Sequence, residues 1–296
     1  MMSALLQTNT PPFQVEIDST MIPNEKHPGF NLASSQNAPR GPILLTEKQR
    51  AHTQFHKGSP NKLTVLLRIT AVRTLLNQDE TADSWFDDDV EVITTTTVND
   101  EILSELDWEK ELQLIQKFQP DFHIPCDYPV YENDDPDIRR HRILKSLEGM
   151  ICIAEKLQSS KTRIIPLLKG TTQQERQLCY KVFDHIGIEY CVFYGTQYFT
   201  ANVGFNQLLE DLRTVVSEAP ELEIMLIGLQ SARRLKQLPP QIVAAAGQRW
   251  IDKVQLREVP WKESHRLYEP MEQEMNKALG QGQMPITAWS QRGVTA

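Results

Sequence analysis

Two aspartates follow apolar runs in this chain: Asp127 closes "DFHIPCD" (121–127), and Asp252 sits in "AAAGQRWIDKV" (244–254). Carboxylates delivered by separate strands to one rim suit two kinds of chemistry. In covalent catalysis one carboxylate attacks an electrophilic carbon while another group recognises the departing fragment. In the other, oxygen donors ligate a divalent cation that activates water or polarises a substrate. Between the two aspartates, further apolar runs end in Lys169 and Gly170, in Tyr194 and Gly195, and in Gly228. Few histidines fall at such ends, which counts against the metal chemistry.

The elements that must position these residues are legible as short apolar runs separated by helical stretches. The runs 63–69, 90–97, 122–126, 163–168, 190–195, 223–228 and 251–256 are rich in β-branched and aromatic residues and read as strands. Residues 104–118 place Leu106, Leu112, Ile115 and Phe118 on one helical stripe, and 137–157 repeat Ile143, Leu147, Met150, Ile151 and Ala154. Pro136 suits a helix start, because a first-turn proline forfeits no intrahelical bond. Helices over 172–187 and 205–220 are closed by Gly187 and Pro220. Strands joined through helices imply a parallel sheet with right-handed crossovers.

Seven such strands predict an α/β fold, a (β/α)8 TIM-type barrel with one strand unrecognised; an open doubly wound sheet is the alternative. No dinucleotide-binding glycine fingerprint and no phosphate-cradling GxxxxGK[ST] loop supports the open sheet. On a parallel barrel the chemistry lies at the carboxyl ends of the strands, where Asp127, Lys169, Gly170, Gly195 and Asp252 would meet. Prolines at 11, 12, 23, 28, 39 and 42 break all periodicity in residues 1–60, which read as an irregular N-terminal arm. The barrel is assigned to 61–270 and a C-terminal tail to 271–296.

With 296 residues and 40% hydrophobic content, the chain is long enough for one large domain. Its net charge of -8 is unevenly spread: acidic residues crowd 79–91 and 132–137, whereas basic ones cluster in 139–145, 233–236 and 249–257. A local basic face can hold a nucleic-acid backbone despite a negative total; solvated helix faces are the plain alternative. The four cysteines form no CxxC pair and have no histidine at ligand spacing, so they read as free thiols in a reducing compartment, with no metal site and no cofactor expected. No leader and no membrane-length apolar run is recognisable, and the expectation is a cytoplasmic protein without a membrane partner.

Residues 106–135, "LDWEKELQLIQKFQPDFHIPCDYPVYENDD", look like the helix, strand and base-recognising aspartate of the tRNA-guanine transglycosylase family. Residues 163–195 are similar to that family's strand ending in Gln-Gly-Gly, its next helix and the strand ending in Gly-Gly-Leu. Residues 223–254 resemble its Met-Gly-Val-Gly segment and the Gly-x-Asp-x-Phe-Asp that carries the nucleophile. The resemblance covers about half the chain and no motif is exact. It implies exchange of guanine in nucleic acid for a 7-deazaguanine base through an aspartyl-linked intermediate. Asp252 would be the nucleophile and Asp127 the reader of the guanine edge. Lys169 stands in the place of a family glutamine, and Gly170 and Gly195 would let backbone approach the base or simply make the tight turns of a barrel.

The departures are equally specific. The family's C-terminal cysteine and histidine zinc ligands have no counterpart, since residues 258–296 hold only His265 and no cysteine. The Thr-Asp-Ser-Gly-Gly segment with a second catalytic aspartate is not found; Asp83 keeps two of its letters with Ser84, and Asp100 follows the run 90–97, so the second acid stays open between them. A zinc-free member resembles the branch that modifies DNA with 7-deazaguanines, which puts DNA ahead of tRNA as substrate and allows partner proteins of a modification system. Two other classes remain: a non-catalytic accessory or nucleic-acid-binding barrel, and an unrelated metal-dependent barrel enzyme.

Overall fold

The computed structural model describes residues 29–87, 89–200 and 203–280. Eight strands run in chain order: β1 (Gly41–Thr46), β2 (Leu63–Arg68), β3 (Val90–Thr95), β4 (Phe122–Ile124), β5 (Arg163–Ile164), β6 (Tyr190–Tyr194), β7 (Glu223–Ile227) and β8 (Ile242–Gly247). The helices preceding β5 are α1 (Arg50–Lys57), α2 (Ile69–Leu76), α3 (Ala82–Trp85), α4 (Asp100–Glu105), α5 (Trp108–Phe118) and α6 (Pro136–Lys156). Those following it are α7 (Gln173–Ile186), α8 (Gln197–Thr200), α9 (Phe205–Glu218), α10 (Ala232–Leu235), α11 (Arg249–Lys253) and α12 (Trp261–Gly280).

The strands form one curled, all-parallel sheet in the order β5-β4-β3-β2-β1-β8-β7-β6. Its two end strands approach each other across the open side. An isolated parallel bridge joins Leu167 to Val192, with Leu168 N donating to Val192 O (2.9 Å) and Val192 N to Pro166 O (2.8 Å). Pro166 has no N–H for the ladder, which is why the regular part of β5 is only two residues long.

Alternation along the strands sorts the buried side chains into two cores. Ile43, Leu45, Leu66, Ile93, Phe122, Ile124, Ile165, Leu167, Tyr190, Val192, Met225, Ile227, Ala244 and Ala246 make one inner cluster, to which seven strands contribute directly and β5 through the extended residues just after it. Large Phe122 and Tyr190 are offset by small Ala244 and Ala246, as filling a curled interior requires. The intervening residues, such as Leu44, Val65, Val92, Cys191, Leu226 and Ala245, face outward and join the helices in a second, larger cluster.

Six of the strands lie where the sequence places them; two corrections concern the others. The run 251–256, read as a strand, is α11 and the turn after it, and the last strand is Ile242–Gly247, whose three alanines lack the β-branched signature of a strand. Residues 1–60 are not wholly irregular: β1 and α1 lie inside them, the strand hidden because its continuous apolar run is flanked by prolines. Residues 1–28 lie outside the described residues. At the other end α12 runs through residues 271–280, part of the span read as a tail, while 281–296 lie outside the described residues.

Helix α1 seals the outer face of β1 with two histidines. Thr46 Oγ1 contacts His52 Nδ1 (3.1 Å) and His56 Nε2 (2.8 Å), both rings fully covered by Trp250, Phe55 and Phe86. Burial, reinforced by the neighbouring His52 and His265, pushes the His56 pKa down to about 3. The native ring therefore stays neutral where the unfolded chain takes up a proton, so stability is intact above the ordinary pKa of about 6.5 and falls as the pH drops from there toward about 3. Each pH unit in that window costs about 1.4 kcal/mol per proton. Urea unfolding between pH 7 and pH 4 should show this slope, and His56→Phe should flatten it by about one proton; an unchanged slope would assign the acid sensitivity elsewhere.

Candidate functional site

Alternation places a polar layer directly above the inner apolar core, at the carboxyl ends of the strands. Two residues beyond the inner Leu45, Leu66, Ile93, Leu167, Val192 and Ala246 stand Glu47, Arg68, Thr95, Lys169, Tyr194 and Gln248. On β4 the pattern is broken. Cys126 adopts a left-handed backbone (φ 55°), which turns its side chain out against the helices and presents Asp127 to Lys169 of the segment that follows β5.

That left-handed turn is held by a buried carboxylate. Glu111 of α5, 2% exposed, accepts from Cys126 N (3.1 Å) and bonds His123 Nε2 (2.8 Å), whose Nδ1 meets Thr94 Oγ1 (2.8 Å). Ser146 Oγ of α6 donates to Cys126 O (2.6 Å), and Asp127 N donates to Thr96 Oγ1 (3.0 Å). Burial and the Glu111 charge push the Cys126 thiol well above its usual range, so it is no nucleophile. His123, wholly buried, belongs to this support.

Asp127 and Lys169 form an ion pair at adjacent strand ends, and Lys169 Nζ also donates to Tyr128 O (2.7 Å). Lys145 lies 5.1 Å from the centre of the Tyr128 ring, and burial pushes the Tyr128 phenol up to about 12. Gly170 has φ 120°, and a Cβ there would lie 2.8 Å from Arg176 N, so its form is set by the start of α7 packed against it. There Thr171 N (2.8 Å) and Thr172 N (3.2 Å) donate to Glu175, which also pairs with Arg139 (2.7 Å). Although burial opposes ionisation, these hydrogen bonds hold the Glu175 carboxyl below its usual range. Gly195 is a close-packing position as well, since its Cβ would meet Leu226 Cδ1 at 2.9 Å and Ile227 O at 3.2 Å.

The remaining residues nominated by sequence separate. Asp252 is exposed on α11, not at a strand end. Asp83 pairs with Lys161 (2.6 Å) in connections that lead into β3 and β5, at the end of the sheet opposite the polar layer. Asp100 stands on the rim side at the start of α4 and accepts from Tyr131 Oη (3.0 Å). Sequence reading passed over Glu47 and Arg68: Glu47 follows the unrecognised β1, and Arg68 was absorbed into the run 63–69.

No family model matches the chain, and no curated protein matches it. Among the described residues no cluster of three or more His, Cys, Asp or Glu side chains is placed to hold a metal ion. The layer instead offers hydrogen-bonding carboxylates, two cations and a tyrosine above an apolar floor, a combination suited to a planar polar ligand.

Removing Glu111 would strand the Cys126 N–H and the His123 ring in a dry site. Glu111→Ala should cost about 3 kcal/mol by the usual penalty for orphaned buried polar groups. Chemical denaturation checks this; a loss within about 0.5 kcal/mol, typical of a surface change, would deny Glu111 its structural role.

Proposed function

We propose that this protein is a transglycosylase-like (β/α)8 barrel that exchanges guanine in nucleic acid, DNA ahead of tRNA, for a 7-deazaguanine base. The observation that carries the reading is Asp127, just beyond the end of β4, with Lys169 from the segment after β5 paired beside it. A carboxylate there can accept from both the N1–H and the amino group of guanine, a charge-assisted pair worth about 1.5–3 kcal/mol that adenine does not reproduce. Lys169 would then turn from Asp127 toward an acceptor on the base. Tyr128 and Tyr194 offer faces for stacking, and the target base must leave its own stack, at a cost of a few kcal/mol. Arg140 and Lys145 on the β4–α6 side form no ion pair among the described residues and so supply charge for a phosphate backbone. The sequence resemblance offers Asp252 as the attacking carboxylate.

A second reading, a non-catalytic barrel that binds nucleic acid, is favoured by one observation: β8 ends in three alanines and a glycine, and Asp252 lies beyond it, exposed on a helix. Nucleoside mass spectrometry of DNA and of tRNA, each incubated with the protein and 7-cyano-7-deazaguanine, separates the two. Base exchange predicts incorporation into DNA, reduced about ten- to a hundredfold in Asp127→Asn by loss of the charge-assisted bonds. Incorporation into neither polymer by a folded protein would leave the binding barrel.

A further inference from the structure

Resting on the base-exchange reading, we propose that Glu47, at the end of β1, is the carboxylate that attacks the sugar. Its backbone is fixed from the outer face, where Glu47 N donates to His52 Nδ1 (3.1 Å) next to the Thr46 contact with the same ring. Its carboxylate is fixed from both sides by neutral amides: Gln248 Nε2 reaches Oε1 (3.0 Å) and Gln49 Nε2 reaches Oε2 (2.5 Å). Gln248 continues the inner face of β8, so the contact ties two neighbouring strand ends together. The wall beneath is rigid, with Trp250 Nε1 donating to Leu45 O (3.2 Å) and Gln230 bridging Ile43 O (2.7 Å) and Trp250 N (3.2 Å).

Two features distinguish Glu47 from the other carboxylates. Asp127 is engaged by a lysine, whereas Glu47 has no salt-bridge partner among the described residues, so neutral donors orient it without cancelling its charge. Asp252 is exposed on a helix, whereas Glu47 is half-buried at a strand end, where position is set by the ladder. Arg68, the inner residue at the end of the adjacent β2, makes no hydrogen bond or ion pair among the described residues and is free to meet a phosphate beside the reacting sugar.

The chemistry balances without a metal or redox partner. A Glu47 oxygen bonds to C1′ as the C1′–N9 bond breaks, and the bonding pair passes to N9 of guanine, which takes one proton from water and leaves. The incoming 7-deazaguanine attacks C1′ through N9, returns one proton to water and releases the carboxylate.

Trypsin would place the two rival carboxylates in separate short peptides, Glu47 in 41–48 (GPILLTEK) and Asp252 in 250–253 (WIDK), each with one acidic side chain. The wild-type protein is quenched in detergent during exchange on the polymer that takes up the 7-cyano base, digested with nuclease and trypsin, and the sugar adduct is mapped by mass spectrometry. The adduct is expected on 41–48, with Glu47→Gln slowing exchange by about a thousandfold or more and Asp252→Asn by less than about tenfold. An adduct on 250–253, or exchange by Glu47→Gln within about tenfold of wild type, would overturn the assignment while leaving base exchange standing. No exchange in the wild type with either polymer would instead remove the base-exchange reading and the role of Glu47 with it.

Discussion

Everything above the sheet depends on the inner apolar cluster shared by seven strands and the extended residues that follow β5. A parallel ladder fixes the spacing of neighbouring strands, but the inner cluster fixes which face of each strand points inward, because a slip of one residue would exchange every inner side chain for an outer one. With Leu45, Leu66, Ile93, Leu167, Val192 and Ala246 locked inside, the residues two positions later have no freedom of side. The polar layer is thus a consequence of core packing. The same constraint puts Glu47 and Gln248 on one wall.

At Asp127 the alternation is broken, and the break is supported accordingly. Simple alternation would have pointed Cys126 inward, an apolar thiol where a polar group is needed. A left-handed residue reverses the pattern, and a non-glycine residue rarely adopts that form without compensation. Here the compensation is a carboxylate buried between α5 and β4, with His123 and Thr94 completing the hydrogen bonding. Such a network is favourable only when every member is satisfied, so it also ties the helix layer to the geometry of the rim.

The mouth is electrostatically divided. On the β4–β5 side the carboxylate and the ammonium neutralise each other, and nearby Arg139 and Arg142 are committed to Glu175 and Asp134. On the β8–β1–β2 side Glu47 is oriented by amides, and Arg68 has no hydrogen-bond or ion-pair partner among the described residues. The proposed base-exchange reading assigns recognition of a neutral base edge to the first side, and the attacking anion and a phosphate-binding cation to the second.

Local pattern determined a good deal by itself. Apolar runs between capped helices announced a parallel α/β fold, and Pro136, Gly187 and the apolar stripes at 104–118 and 137–157 placed the long helices within a few residues. The run ending in Asp127 and the run ending in Lys169 were visible for the same reason: both are buried strands followed by polar turns. Tertiary structure alone decided the rest. β1 lies among prolines and β8 is built of alanine, so neither carries a local strand signature; they become strands because each completes the ladder beside the other. Whether Asp252 or Glu47 stands at a strand end follows from that pairing, a contact between residues some two hundred positions apart that no sequence window contains.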